Sequence, residues 1–187
     1  MSLPLLALAP TTLPHTPTLE FLDAAHAAGF PAVSLRLNAS PGLPFHPVVG
    51  NAAAMREVTA RIRDTGLQVL EVVSFYLRPD TDIATYMPAL EFGAQLGARY
   101  ALTMGDDPDP QRQVASFGRF CDRIAPLGLT AAVEFAVSRP IATLTDTTGM
   151  IAAAGRANSV VCLDPLNHCR ALDVEAIGAV DARLYPY

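Results

Sequence analysis

The chain has 187 residues, of which 51% are hydrophobic and 17% are charged, and its formal net charge is −5. This composition fits one globular domain with a sizeable core, so we predict a single domain over residues 1–187. No run of basic residues occurs, which argues against nucleic-acid binding. No apolar segment is long enough to cross a membrane, and three cysteines without a CxxC pair indicate a reducing compartment. We therefore expect a cytoplasmic protein without a membrane partner.

Apolar segments and helical segments alternate along the whole chain. Strands are predicted at 3–9, 32–37, 67–75, 100–104, 129–137 and 159–163, and from 183 to the end of the chain. Helices are predicted at 16–29, 52–65, 80–97, 110–128, from 143 or 145 onward, and at 173–180. The strand–helix pair repeats about every 30 residues, and the strands are continuously apolar, as in a parallel sheet buried on both faces. The pattern predicts an α/β fold with parallel strands.

Residues that favour particular helix positions mark several of the predicted ends. Thr16 is a good N-cap, Pro17 fits the first helical position, and Gly29 fits the C-terminal cap. Gly66 ends the second predicted helix. In the third, Asp80 or Asp82 is the predicted cap, and Pro88 predicts a kink or a late start.

Two neighbouring apolar segments, TAAV and SVVCL, each lead into a carboxylate, Glu134 and Asp164. About 30 residues separate them, the length of one strand–helix–strand unit. The C-terminal ends of parallel strands form the active-site mouth of α/β enzymes, and charge beside an apolar strand is costly unless it is paired or metal-bound. The pair therefore indicates a shared cation or a proton-transfer site. The alternative is that each carboxylate caps a helix or pairs with an arginine.

The turns after the predicted strands favour a barrel over a doubly wound sheet. There is no GxGxxG turn after the first strand and no Walker sequence. Arg, Glu, Asp and His follow several strands instead, and polar groups that end different strands converge at the mouth of a (β/α)8 barrel.

The segments AAHAAGFPAVSLRL, LEFGAQLGARYALTMGDDPD, AAVEF and CLDPLNHCR resemble the xylose-isomerase-like TIM barrels, the sugar-phosphate isomerase and epimerase family. The resemblance extends over nearly the whole chain and implies a divalent-metal site at the barrel mouth. It implies that Glu134 and Asp164 are metal ligands and that Glu134 is also the catalytic base. Oxygen ligands favour Mn²⁺ or Mg²⁺, with Zn²⁺ as the alternative if a histidine joins them.

The chain departs from the family pattern D-x-L-H-x-x-R at one position. Asp164, Leu166 and Arg170 match the pattern, but Asn167 occupies the histidine position and His168 lies one residue later. Asparagine can hydrogen-bond a substrate hydroxyl but cannot transfer a proton. We predict that Asn167, His168 and Arg170 contact the substrate, with Arg170 binding an anionic group.

Three other features carry open alternatives. Arg36, near the end of the second predicted strand, is predicted to bind a phosphate or carboxylate, or else to pair with Glu71. Glu71 is predicted to be structural or to orient the substrate. His46, in the Pro-rich loop 38–51, is predicted to contact the substrate, or else to be a solvated loop residue. The acidic turn GDDPDP could bind a cation, but Asp and Pro are ordinary turn and cap residues, and we favour that interpretation.

The length of the chain predicts an incomplete barrel. A (β/α)8 barrel takes about 250 residues, whereas this chain supplies about six βα units and a seventh strand, and lacks the C-terminal part from which the family takes further ligands. The uncovered strand edges predict a homo-oligomer or a marginally stable protein. A monodisperse monomer in light scattering with a high melting temperature would contradict this expectation.

The resemblance implies a metal-dependent isomerase or epimerase of a sugar or sugar phosphate, acting by proton transfer next to a carbonyl. The expected partner is a small sugar or hydroxy-acid substrate. Two alternatives stay open: a metal-dependent dehydratase of the same fold, and a non-catalytic sugar-binding or scaffold barrel.

Overall fold

A computed structural model of the chain describes residues 5–172 and 174–186. The strands are β1 (Ala7–Leu8), β2 (Ala32–Arg36), β3 (Gln68–Leu77), β4 (Tyr100–Gly105), β5 (Thr130–Glu134) and β6 (Ser159–Cys162). The α-helices are α1 (Thr18–Ala27), α2 (Ala52–Thr65), α3 (Met87–Gln95), α4 (Pro110–Ile124), α5 (Leu144–Ala154) and α6 (Pro165–Arg170). Short 3₁₀ helices lie at Pro10–Thr12, Ile83–Tyr86, Ala125–Leu127, Val174–Ala179 and Ala182–Leu184. The strand order is β1-β2-β3-β4-β5-β6, so the predicted parallel α/β fold is confirmed.

The chain divides into two compact units. The first consists of Met1–Ser74 and Ala84–Ala101, and the second of Phe75–Ile83 and Leu102–Tyr187. The single domain of the sequence analysis stays a prediction.

The first unit is built on β1, β2 and most of β3. β2 pairs in parallel with both neighbours, and Ser34 lies opposite Glu71 in the β2–β3 register. Helices α1 and α2 pack on each other, and α1 also packs on β2. Helix α2 has the predicted bounds because the Asn51 side chain accepts hydrogen bonds from the backbone N–H groups of Ala53 and Ala54, and Gly66 ends the helix at φ 70°.

The second unit contains the strands that end in the predicted site. β5 and β6 pair in parallel, and Glu134 lies opposite Cys162 in their register. Helix α4 packs on α5 and β5, and α5 packs on β6. The core between them includes the fully buried rings of Phe75, Phe117, Phe120 and Phe135. Burying a side chain of this size contributes about 1.5–3 kcal/mol, so the aromatic core holds the strand ends in place.

Several helix ends differ from the sequence predictions. α1 begins at Thr18 with Pro17 as its N-cap, so the predicted cap at Thr16 is wrong. Gly29 follows the C-cap at φ 78°, as predicted for a residue in the left-handed region. α3 begins at Met87, and Pro88 lies in its first turn, which confirms a late start rather than a kink.

The C-terminal part differs most. The predicted seventh strand is wrong for residues 183–186, because Ala182–Leu184 form a 3₁₀ helix whose first turn is capped by Asp181. Helix α6 was not predicted, and a 3₁₀ helix at Val174–Ala179 occupies the segment predicted as a helix at 173–180. Parts of three predictions, at Leu3–Pro4, Asp173 and Tyr187, lie outside the described residues.

Exposed large apolar side chains occur in both units, and those of the second unit include Leu166, Leu172, Val174 and Ile177. The predicted homo-oligomer stays a prediction. Among the helices in the described ranges, none is both long and apolar enough to cross a bilayer.

The contact between Gly93 of α3 and Val72 of β3 gives a direct test of packing in the first unit. A Cβ atom added at Gly93 would lie 2.5 Å from Val72 Cγ1, and Val72 is fully buried. We expect Gly93→Ala to lower the free energy of unfolding by about 1–2 kcal/mol net, because overpacking outweighs the gain in helix propensity.

Gly149 is the matched control, since it lies inside α5 with no atom within 4 Å of an added Cβ. Gly149→Ala should stabilise the protein by about 0.5–1 kcal/mol. Urea unfolding followed by circular dichroism measures both variants, and equal stabilisation by the two would show that the Gly93–Val72 contact is not tight.

Candidate functional site

Glu134 is the last residue of β5, and its side chain is half-buried. Its Oε1 atom accepts a hydrogen bond of 3.4 Å from the Nδ2 atom of Asn167 in α6. The parallel register places Cys162, the last residue of β6, opposite Glu134. The carboxylate therefore sits at the C-terminal edge of the β5–β6 pair, next to the helix that follows β6.

Asp164 is the N-cap of α6, and its Oδ1 atom accepts a hydrogen bond of 2.9 Å from the backbone N–H of Asn167. Pro165 occupies the first helical position, where its missing N–H has no cost. The alternative that this carboxylate caps a helix is thus what the structure shows. Within residues 5–172 and 174–186, Asp164 Oδ2 has no hydrogen-bond partner, so capping uses only one of the two oxygens.

Asn167 connects the two carboxylates. Its backbone N–H donates to Asp164, and its side-chain amide donates to Glu134. The structure therefore brings together three of the predicted site residues. The amide also carries an oxygen, which is a ligand type accepted by Mg²⁺ and Ca²⁺.

His168 lies on a different side of α6. Its side chain is buried, with the residue 5% exposed, and its ring packs edge-on against Phe135 at a centroid distance of 6.2 Å. Neither ring nitrogen has a hydrogen-bond partner in the described part of the chain. Consecutive helical residues point about 100° apart, which explains why Asn167 and not His168 contacts Glu134. A substrate contact by His168 stays a prediction that this burial does not favour.

Arg170 ends α6 and is exposed. Its guanidinium makes no hydrogen bond or ion pair with the described residues, so it can accept an anionic partner from solution. Its predicted role stays a prediction.

Arg36 and His46 belong to the first unit, where they line one small cavity of about 30 Å³ with Pro44 and Phe45. Arg36 Nη1 donates to the carbonyl of Pro44 at 3.3 Å. His46 is exposed, and its Nε2 atom lies 3.2 Å from the carbonyl oxygen of His15. The cavity is about large enough for one water molecule. Roles for both residues as substrate contacts stay predictions.

Glu71 is buried in β3, and Ser34 Oγ on the neighbouring strand donates to its Oε1 atom at 2.7 Å. Ser34 and Glu71 face each other in the β2–β3 register, so the short bond follows directly from strand pairing. This contact supports the structural interpretation of Glu71.

The acidic turn after β4 is structural, as the sequence analysis favoured. Asp109 caps α4 by accepting from the backbone N–H of Arg112 at 2.8 Å. Both oxygens of the buried Asp107 side chain contact Arg112, at 2.5 Å from Nε and 2.6 Å from Nη2. These bonds hold the pKa of the Asp107 carboxyl below its ordinary value of 3.8, against a smaller opposing effect of burial.

A cluster of two arginines and one aspartate beside this turn was not predicted from the sequence. Arg78, directly after β3, and Arg139, in the loop after β5, both form ion pairs with Asp106 directly after β4. Both guanidinium groups also lie over the ring of Tyr76. The signal that selected Glu134, a charged residue at a strand end, was present at Arg78 and Asp106.

Whether the site can hold a divalent metal depends on the ligand atoms that its side chains supply. Within residues 5–172 and 174–186, no group of three or more His, Cys, Asp or Glu side chains is placed to hold a metal ion. Glu134 and Asp164 each accept a hydrogen bond from Asn167, and all three side chains carry oxygen atoms that can act as metal ligands. This donor set fits a hard cation such as Mg²⁺, which keeps several waters and needs only one or two carboxylates.

Comparison with known proteins identifies the fold. The sequence matches no protein-family model and no curated protein. Among solved structures, a xylose isomerase domain containing protein from Salmonella typhimurium LT2 matches with a TM-score of 0.77 and 18% identity, over 98% of this chain and 70% of that one. The chain has the xylose-isomerase-like TIM-barrel fold. The residues that the structure describes form six parallel strands, whereas a closed barrel of this type has eight.

Two further matches share this fold. The IolI protein with a bound zinc atom has a TM-score of 0.74 and 14% identity, over 95% of this chain and 69% of that one. A D-psicose 3-epimerase, solved in the presence of D-fructose, has a TM-score of 0.69 and 13% identity, over 90% of this chain and 65% of that one. Since all three identities are below 20%, they establish the fold and not the activity.

Acid titration tests the Asp107–Arg112 pair. A carboxyl whose pKa is lowered in the folded state stabilises the fold above its ordinary pKa, and that contribution is lost as the pH falls through the folded-state value. We expect the free energy of unfolding to fall between about pH 5 and pH 2 in the wild type, and to fall less in Asp107→Asn, which is already less stable at pH 7.

Urea unfolding at several pH values measures this difference. The matched control is Asp64→Asn, which removes an exposed carboxylate at the end of α2. An acid-induced loss in Asp107→Asn as large as in the wild type would show that the pair is not formed.

Proposed function

We propose that this chain carries the activity of a divalent-metal-dependent isomerase or epimerase that moves a proton next to the carbonyl of a small sugar or sugar phosphate. The observation that supports the proposal is the contact of Glu134 and Asp164 with one residue, Asn167, at the C-terminal ends of neighbouring parallel strands. Active sites of (β/α)8 barrels lie at this end. The D-psicose 3-epimerase and the zinc-containing IolI protein, which share the fold, are consistent with it.

Glu134, Asp164 Oδ2 and the amide oxygen of Asn167 would hold the metal. Oxygen donors favour Mn²⁺ or Mg²⁺ over Zn²⁺, particularly since the neighbouring histidine, His168, is buried against Phe135. When bound, such a metal supplies Lewis-acid polarisation of a carbonyl and an adjacent hydroxyl.

The side chains of this chain have separate roles in the proposed reaction. Glu134 is half-buried and accepts a long hydrogen bond from the neutral amide of Asn167, and a carboxylate at the end of a strand is suited to take a proton from a carbon acid. Asn167 orients that carboxylate and can donate to a substrate hydroxyl, but it cannot return a proton. Arg170, exposed at the end of α6, would bind an anionic group of the substrate.

Sugar binding without catalysis is the second candidate, and one observation favours it. Asn167, whose amide cannot act as a general acid or base, occupies the position where the resembling family has histidine, and it contacts Glu134 directly. A protein of this kind would bind metal and sugar but would not exchange the proton next to the carbonyl.

Metal binding tests the proposed site. We expect Mn²⁺ titrated into the wild type in a calorimeter to bind with one-site stoichiometry, and Glu134→Gln to lose at least about tenfold in affinity. Asp164→Asn should lose a similar factor while keeping its fold, because asparagine is an equally good N-cap. Glu91→Gln, an exposed substitution in α3, is the matched control and should bind as the wild type does.

Proton exchange separates the two candidate functions. With Mn²⁺ and D-fructose in D₂O, the wild type should incorporate deuterium at the carbon next to the carbonyl, as followed by proton NMR, and Glu134→Gln should not. Metal and sugar binding without exchange would favour the second candidate. Unchanged Mn²⁺ affinity in both Glu134→Gln and Asp164→Asn would contradict the site itself.

A further inference from the structure

Two arginines and one aspartate meet on the ring of Tyr76 in the second unit. Arg78 Nε lies 3.1 Å from Asp106 Oδ2, and Arg139 Nη1 lies 2.9 Å from Asp106 Oδ1. The guanidinium carbons lie 5.3 Å and 4.9 Å from the centroid of the Tyr76 ring, respectively. Each oxygen of Asp106 thus serves one arginine, and the cluster has a formal charge of +1.

Most hydrogen-bond donors of these arginines remain available. A guanidinium group has five N–H donors in a rigid fork, and in the described part of the chain the side chains of Arg78 and Arg139 form ion pairs only with Asp106. Both remain open to solvent, with side chains 44% and 24% exposed. A second anion can therefore reach them without breaking the pairs with Asp106.

The Tyr76 ring gives the two cations a fixed orientation. Tyr76 is 8% exposed and so is anchored in the core, and a guanidinium within about 6 Å of a ring face is attracted by its quadrupole. Stacking limits the freedom of the arginine side chains before any ligand binds, which lowers the entropic cost of binding. Guanidinium forks held in this way match the oxygens of carboxylate and phosphate groups.

The cluster also lies at the functional end of the strands. Arg78 follows β3, Asp106 follows β4, and Arg139 lies in the loop between β5 and α5, directly after the strand that ends at Glu134. The loops after parallel strands form the mouth of a barrel, where substrates bind. A charged substrate group would meet the cluster at the same edge as the proposed site.

We propose that Arg78 and Arg139, stacked on Tyr76, form a binding subsite for an oxyanion, namely the carboxylate or phosphate group of the substrate. The assignment of that anion to a substrate rests on the proposed function. Anion binding itself does not, because neither arginine makes a hydrogen bond or an ion pair with Glu134, Asp164 or Asn167 within the described residues.

Substitution of Asp106 distinguishes an anion-binding site from a structural brace, that is, a cluster whose ion pairs only hold three loops together. In an anion site the negative charge of its carboxylate repels the bound anion, so Asp106→Asn should tighten anion binding. In a brace it is the central partner, so the same substitution would loosen the loops and create no binding.

The test uses metal-free protein titrated with inorganic phosphate and with D-gluconate at constant ionic strength, with chloride as the reference anion. Calorimetry should show saturable binding of at least one of the two anions, and the anion that binds identifies the chemical source. Asp106→Asn should bind it about two- to fivefold more tightly. The double variant Arg78→Gln/Arg139→Gln should bind the anion at least about tenfold more weakly than the wild type.

Arg99→Gln is the matched control, since Arg99 also lies over a tyrosine ring, that of Tyr100 at 5.9 Å. It should bind the anion as the wild type does. The subsite is overturned if neither phosphate nor D-gluconate shows saturable binding to either the wild type or Asp106→Asn. It is also overturned if Arg99→Gln loses as much affinity as the double variant.

A double variant that fails to fold leaves the Asp106→Asn comparison decisive. A protein that binds Mn²⁺ but neither anion would contradict this subsite alone. A protein that binds an anion but not Mn²⁺ would contradict the proposed metal site alone.

Discussion

The parallel pairing of β5 with β6 is the constraint on which the candidate site depends. It fixes Glu134 opposite Cys162, so the segment after β6 must begin beside the end of β5. Asp164 then starts α6, and the first turn of that helix carries Asn167 to Glu134. A register shift of one residue would turn the Glu134 side chain to the other face of the sheet, and the contact would be lost.

Asp164 shows how one carboxylate can serve both fold and chemistry. Its Oδ1 atom satisfies a backbone donor at the start of α6, which would otherwise be unpaired, and its Oδ2 atom has no hydrogen-bond partner in the residues that the structure describes. The two explanations that the sequence left open for this residue are therefore compatible. The two oxygens of Asp106 also have separate partners, since each of them pairs with a different arginine.

The sequence predicted the alternation of strands and helices and the bounds of α2, and it gave the late start of α3 as one of two alternatives, because caps and apolar periods are local signals. It failed where tertiary context decides. Residues 183–186 have the composition of a strand but form a 3₁₀ turn and an irregular end. The directions in which the Asn167 and His168 side chains point depend on helix α6, which was not predicted. The ion pair of Arg139 with Asp106 depends on the conformation of the loop after β5, which no local sequence pattern encodes.

Diffraction from crystals soaked in Mn²⁺ tests the central claim most directly, because the anomalous signal locates the metal without reference to activity. We expect one strong peak within about 2.0–2.6 Å of a carboxylate oxygen of Glu134 and of Asp164 Oδ2, with the α6 cap still formed. A map without a peak at these residues under saturating Mn²⁺, or with the only ordered Mn²⁺ bound elsewhere on the chain, would contradict it.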